Sequence, residues 1–259
     1  MLNFLKEPSI ANLIVGSPEF FFRQKTMIQE RLLLKFCYYD WYARLIADTR
    51  SVSSPGLLLE LGSGGSNLKL LDPAFITSDV VSGVAERVID GCNLPFPDNS
   101  LRAIALTHVL HHIPDVEAFF REARRTLVPG GVVTMIEVAH TPFARFFFSN
   151  FHPEPYDDLR QEWGFGQKDS MVDSNQALSW IVFVRDRNRF ERLFPELVIE
   201  KLAFTPWLTY LVSGGVTMRN LIPHFLVPLL IGIEWLLTPF RPLFALHWHI
   251  RVRRRSLGE

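Results

Sequence analysis

Residues 57–66 read Leu57-Leu58-Leu59-Glu60-Leu61-Gly62-Ser63-Gly64-Gly65-Ser66, an apolar run that closes on an acid and a glycine turn. A near-continuous apolar run is what a strand buried on both faces requires. Glycines directly after it let the backbone turn sharply and approach a ligand, because no Cβ blocks positive φ. A dinucleotide fingerprint needs a further glycine where this chain has Asn67. The acid matters more: Glu60 repels a pyrophosphate and suits a ligand that carries an ammonium group.

Downstream, short apolar runs at 75–80, 87–90, 103–107 and 132–138 read as further strands. Between the last two, Val116, Phe119, Phe120, Ala123 and Leu127 recur at helical spacing. That helix starts after Pro114-Asp115 and stops before Pro129-Gly130-Gly131, so both ends carry a chemical reason. Strand–helix–strand alternation predicts an α/β fold with a parallel, Rossmann-like sheet and helices on both faces. Upstream, Ser17-Pro18-Glu19 is a helix start, predicting a helical region over 18–50 that ends in the Ser/Pro/Gly loop at 51–56. After the sheet, 140–180 reads as irregular, 188–194 as a short helix, and 196–204 and 208–212 as two more strands. Three parts follow: an N-terminal helical lid over 1–50, a ligand-binding domain over 51–215 with a substrate-side insertion at 140–185, and an apolar, Arg-ended extension over 216–259.

The whole-chain arithmetic narrows the options. With 259 residues, 48% hydrophobic and 21% charged, the chain is a folding one. Lys+Arg and Asp+Glu number 27 each, so no bulk basic charge draws it to nucleic acid. Cys37 and Cys92 stand apart in no metal-ligand spacing; no metal site is expected, and a reducing, cytoplasmic setting fits. Met1–Leu5 is apolar, but Lys6, Glu7 and Pro8 interrupt it before a secretory signal can form. Aromatic content is unusual, with 22 Phe and 6 Trp.

Two more acids end strands. Asp79 closes the second strand, where doubly wound folds place the carboxylate that accepts ribose hydroxyls. Asp90 closes the third and is followed by Gly91. Glu60, Asp79 and Asp90 should converge at the carboxyl edge of the sheet, the ordinary ligand crevice of such folds. A ligand with a cationic amino-acid end, a ribose and an adenine uses all three, which describes S-adenosylmethionine better than NAD, ATP or FAD.

Four stretches in this order, Glu60-Leu61-Gly62-Ser63-Gly64-Gly65, Leu94-Pro95-Phe96-Pro97-Asp98, Val109-Leu110-His111-His112-Ile113 and Leu127-Val128-Pro129-Gly130-Gly131, resemble the type-11 group of class I S-adenosylmethionine-dependent methyltransferases. The resemblance covers roughly 57–138. It implies that Glu60, Gly62 and Gly64 line the methionine end of the cofactor, Asp79 the ribose and Asp90 with Gly91 the adenine, and that His108 lies near the sulfonium. One departure stands out: the interval from Asp79 to Asp90 is too short for the helix the group carries there, which predicts a clipped loop. His111 and His112, shared by relatives with unlike substrates, read as mostly structural.

Methyl transfer to a hydroxyl needs a base as well as a donor. The candidates are His108, Glu137, His140, and His152 with Glu154 in the proline-held stretch Phe151-His152-Pro153-Glu154-Pro155-Tyr156-Asp157. Tyr39, in Tyr38-Tyr39-Asp40-Trp41-Tyr42, is a candidate to close over the cofactor. Residues 221–250 are apolar and Trp-bearing, but Glu234 and several prolines interrupt them, and Arg251, Arg253, Arg254 and Arg255 follow. In-plane contact with an anionic membrane through 221–255, on its inner face, is the leading reading, ahead of a cap packed on the protein and of a true span. The acceptor expected is accordingly a small lipophilic or lipid-linked molecule, methylated on oxygen or carbon. The rivals are a soluble methyltransferase of a polar metabolite that uses 221–250 as a homodimer interface, and a non-catalytic cofactor-binding scaffold.

Overall fold

Ser17 opens the first helix by accepting from the Phe20 N–H, and Pro18 fills the first turn. In the computed structural model, which describes residues 6–165, 173–220, 222–256 and 258–259, the helical region is two helices. These are α1 (Pro18–Glu30) and α2 (Leu32–Arg50), broken at Arg31, which turns to extended backbone. The apolar start Met1–Leu5 and part of the insertion at 140–185 lie outside the described residues.

The remaining elements are β1 (Leu57–Leu61), α3 (Leu68–Leu71), β2 (Phe75–Asp79), β3 (Arg87–Val88), β4 (Leu101–Thr107), α4 (Val116–Thr126), β5 (Leu127–Val138), α5 (Pro142–Phe151), α6 (Leu178–Trp180), α7 (Arg187–Leu193), β6 (Leu197–Phe204), α8 (Leu208–Ser213), α9 (Val227–Leu236), α10 (Arg241–Phe244) and β7 (His247–Arg254). The strands form one sheet in the order β3-β2-β1-β4-β5-β7-β6. The first five are parallel, and β7 enters antiparallel between β5 and β6. Glu60 pairs with Ala105 and Thr77 in this register, so β1 lies between β2 and β4 and its carboxyl end opens where the strand order reverses. Among the described residues 80–86 form no helix between β2 and β3, the clipped connection expected from the sequence.

Both sheet faces are covered. On one, Phe119 and Phe120 of α4 interlock with Phe183, Phe190 and Phe194 at edge-to-face angles. On the other, Leu34, Tyr38, Trp41, Tyr42, Leu45 and Ile46 of α2 pack on Leu58, Ala103, Ala105, Val132 and Ile136. The region expected as a lid therefore divides: α2 is a layer of the core, and α1 alone leans over the glycine turn, with Phe21 and Gln24 beside Gly64 and Gly65.

Three expectations are corrected. Residues 208–212 are helical, because their N-terminus is satisfied from afar: the buried Glu234 carboxylate on α9 accepts the N–H groups of Trp207 and Thr209. Thr141-Pro142 starts a helix, α5, inside the stretch read as irregular; Thr141 Oγ1 accepts from Ala144 N–H. The basic run 251–255 is not a free membrane-facing cluster. Arg251 pairs with Asp48 and Glu200, Arg253 with Glu200 and Glu259, and Arg254 and Arg255 donate to the Leu127 and Pro195 carbonyls.

Candidate active site

The glycine turn is built around Asp79. Its Oδ2 accepts the Gly64 N–H at 2.9 Å and its Oδ1 the Val81 N–H at 2.9 Å, so the buried carboxylate ties the end of β2 to the loop after β1. Ser63 donates its N–H to the Ser78 carbonyl at 2.7 Å. Gly62 holds φ at +65°, and a Cβ there would stand 2.5 Å from Val109 Cγ2. Gly62→Ala is expected to cost about 1–2 kcal/mol from the left-handed backbone alone, a fall of several degrees in Tm. A thermal melt that superimposes on the parent would show that the turn is not constrained.

Two joined chambers open at this edge. The smaller, about 150 Å³, is lined by Asp79, Asp90 and Gly91 together with Val80, Ile89 and Ile113. The larger, about 470 Å³, takes in His111, His152, Glu154, Phe147, Phe148 and Tyr210. Phe21, Gly62, Gly64, His108 and His112 line both, and so mark where they meet. Of the residues singled out from the sequence, Gly62, Gly64, Asp79, Asp90, Gly91, His108, His152 and Glu154 come together here.

Glu60, Tyr39 and His140 line neither chamber. Glu60 is buried beneath the turn; burial outweighs the hydrogen bonds from Ser66 and Ser63 and pushes its carboxyl up to about 7. Tyr39 bonds Gln29 at 3.2 Å with Lys35 over its ring, because the inward face of α2 is set by Leu34, Tyr38, Trp41, Tyr42 and Leu45 at helical spacing. Its neighbour Tyr38 is the one that faces the larger chamber. His140 is stacked on Trp180 at 3.8 Å and bonds the Tyr156 hydroxyl at 2.7 Å.

Histidine dominates the larger chamber. Five of the chain's 8 histidines line it: His108, His111, His112, His152 and His247. His108 is held at φ +59° at the end of β4 and packs its ring on Trp41 and His247. Burial lowers its pKa to about 4, and burial likewise lowers that of His152, so both imidazoles are neutral at neutral pH. His111 is the opposite case. Burial opposes its charge, but Glu137 at 2.7 Å from Nδ1 and Glu154 at 3.4 Å from Nε2 push it up to about 10.

Glu137, named above as a candidate base, is committed elsewhere. One carboxylate oxygen accepts the N–H groups of Val109 and Leu110 at 2.8 and 2.7 Å, and the other meets His111. It clamps the turn at Leu110–His112 to the end of β5. Sequence reading missed Phe21, Tyr38, Phe147, Phe148, Tyr210 and His247 as lining residues; nothing in a lone aromatic at helical spacing separates a cavity wall from core.

Comparison with known proteins agrees with this architecture. Residues 59–135 match the family model described as a methyltransferase domain. Demethylmenaquinone methyltransferase of Corynebacterium glutamicum (strain R) is 39% identical over 64 residues, 25% of this chain and 27% of that protein. The corresponding enzyme of Tropheryma whipplei (strain Twist) is 35% identical over 60 residues, 21% of this chain and 25% of that protein. The match thus spans about a quarter of these relatives' length. Among solved structures, geranyl diphosphate C-methyltransferase from Streptomyces coelicolor A3(2) superimposes with TM-score 0.50 at 16% identity, over 97% of this chain and 87% of that one. A possible histamine N-methyltransferase from Thermotoga maritima gives TM-score 0.51 at 13% identity, over 91% and 99%. These similarities concern the fold.

Proposed function

We propose that the chain, whose residues 59–135 match the methyltransferase-domain family model, binds S-adenosylmethionine at the glycine turn and moves its methyl group to an oxygen or carbon of a small lipophilic acceptor held in the larger chamber. The observation that carries this reading is the pair of chambers meeting at Gly62, Gly64, His108 and His112, one walled by acids and the other by aromatics. The turn fits the cofactor: Gly62 and Gly64 hold positive φ and line both chambers, with no side chains of their own to block a ligand's approach. Asp79 is the acceptor for the ribose hydroxyls, and the exposed Asp90 at the rim, with Gly91 behind it, faces the adenine.

The bound cofactor supplies an activated methyl on a sulfonium. The chain's part is to align the acceptor and exclude water. His108, kept neutral by burial, has a lone pair for a departing hydroxyl proton. In His152 the Nδ1 lone pair already accepts the Glu154 N–H at 3.3 Å, so the ring offers the acceptor an Nε2–H donor.

Support for a lipophilic acceptor comes from the outer surface. Phe225, Leu229, Trp235, Leu236, Phe240 and Leu243 project from α9, α10 and the turns beside them, with Phe225 at 78% and Trp235 at 76% exposure. No single described helix is long and apolar enough to cross a membrane, but His224–Leu236 and Thr238–Phe244 form an apolar pair bent by 60°. α10 packs on α5, which exposes Phe146 and Phe151 and turns Phe147 and Phe148 into the chamber. Apolar side chains of α5 and α10 thus join the surface to the chamber wall, and a lipid bilayer is the partner proposed for the outer face.

Since 251–255 are consumed in the sheet, attachment rests on apolar burial. Vesicles of neutral and of anionic lipid should therefore bind the protein alike, with little loss at high salt. Trp235→Ser or Phe225→Ser is expected to weaken attachment about tenfold, the ~1.5 kcal/mol of one exposed apolar side chain. Binding that vanishes on neutral vesicles, or a dimer that hides this surface in sedimentation, would overturn the surface assignment. Methyl transfer from radiolabelled S-adenosylmethionine into a lipid extract tests the reaction; a chain that binds the product cofactor yet labels nothing is a scaffold.

A further inference from the structure

The His111 and His112 rings and the Glu154 carboxylate stand together on the wall of the larger chamber. Their Nε2, Nε2 and carboxylate atoms gather within 4.8 Å of one another. Glu154 Oε2 stands 3.4 Å from His111 Nε2 and 3.7 Å from His112 Nε2, and the two rings are 4.3 Å apart. Ligand atoms about 2.1 Å from one ion lie roughly 3.0–3.5 Å from each other, so both Glu154 contacts already stand near that spacing. The far side of His111 is already arranged: its Nδ1 meets the fully buried Glu137 carboxylate at 2.7 Å. That is the carboxylate–histidine pairing that fixes ring orientation and tautomer for a metal.

We infer that His111, His112 and Glu154 form a binding site for one divalent transition-metal ion where the two chambers meet. The imidazole donors select zinc, cobalt, iron or nickel over magnesium and calcium, which prefer oxygen. Three protein ligands leave coordination positions open, and the cavity lies on that side, with all three residues on its wall. Taken with the methyl-transfer reading, on which this clause alone rests, the open position receives an oxygen of the acceptor. Sequence reading expected no metal, because the ligands come from two separate loops with no recognisable spacing.

The test titrates the metal-stripped full chain with Co²⁺ alone. The expected result is one Co²⁺ per chain, a visible absorption band stronger than that of the aqueous ion, and loss of that band on adding equimolar Zn²⁺. Glu154→Gln and His112→Ala should each raise the Kd for Co²⁺ tenfold or more while circular dichroism stays unchanged. A parent chain with no band, or variants that bind as the parent does, overturns the site. S-adenosylhomocysteine titrated into the same samples separates the two ideas: product binding without Co²⁺ binding removes only the ion, and Co²⁺ binding without product binding removes only the transferase reading.

Discussion

Asp79→Ala should weaken S-adenosylhomocysteine binding by about two to four powers of ten. Two charge-assisted hydrogen bonds from ribose hydroxyls to one carboxylate contribute about 1.5–3 kcal/mol each, and every 1.4 kcal/mol is tenfold in Kd. The side chain is already placed for that task, since its two oxygens hold the Gly64 and Val81 N–H groups and fix the rim of the smaller chamber. Calorimetric titration measures the effect. Adenosine, which carries the ribose but not the methionine end, should lose the same factor. An unchanged affinity for both ligands removes Asp79 from the site, and with it the assignment of the smaller chamber to the nucleoside.

Asp48→Ala is expected to cost about 3–5 kcal/mol of folding stability, the usual effect of removing one partner from a buried ionic cluster. Asp48, on α2, is buried against the sheet, where its Oδ2 meets His249 Nε2 at 2.7 Å and Thr134 Oγ1 at 2.7 Å. Its Oδ1 accepts from Lys201 at 3.1 Å and from Arg251 at 3.3 Å. One carboxylate thus pins α2 to β5, β6 and β7, and without it His249 and Arg251 lose their common counter-charge. Burial alone would raise the Asp48 pKa, but hydrogen bonds from His249, Thr134 and Lys201 together with the His249 charge hold it well below the ordinary carboxylate range.

The linkage sign follows. The stabilisation is fully present above the unfolded value near 3.9 and is lost as pH falls through the lower folded value. Urea melts should therefore show the gap between parent and Asp48→Ala narrowing as pH drops below about 4. A gap under 1 kcal/mol at neutral pH would show that the cluster does not hold the layers together.

Much of the central sheet was open to reading because β1, β4 and β5 are largely buried apolar runs, and because β1 and β2 carry the acids Glu60 and Asp79 at their ligand ends. The same logic hid β7. His247-Trp248-His249-Ile250-Arg251-Val252-Arg253-Arg254 looks like the basic flank of an apolar segment, yet it alternates. Trp248, Ile250 and Val252 enter one core, while His249 and Arg251 face Asp48 on the other side. That alternation was available in the sequence, but the Asp48 partner that makes buried arginine tolerable was not. Within α8, a run as short as Leu208-Thr209-Tyr210-Leu211-Val212 carries too little periodicity to separate helix from strand, and its cap, Glu234, is tertiary. At the site, the acids and glycines were legible from their positions at strand ends. Tyr39 was not separable from Tyr38 until α2 had a face, and Glu60 was not known to lie under the turn until the turn was built.

Because β6 and β7 are antiparallel neighbours, everything between Phe204 and His247 is formally the connection of a single hairpin. Lengthening such an excursion is thermodynamically inexpensive, on the order of 0.6 kcal/mol for each doubling. The exposed Phe225, Trp235 and Phe240 and the chamber residues Tyr210 and Leu211 all sit on this one excursion, whereas Asp79 and Asp90 sit at the ends of β2 and β3. Exchange of 205–246 between related chains is therefore expected to reshape the larger chamber while the smaller keeps its acids.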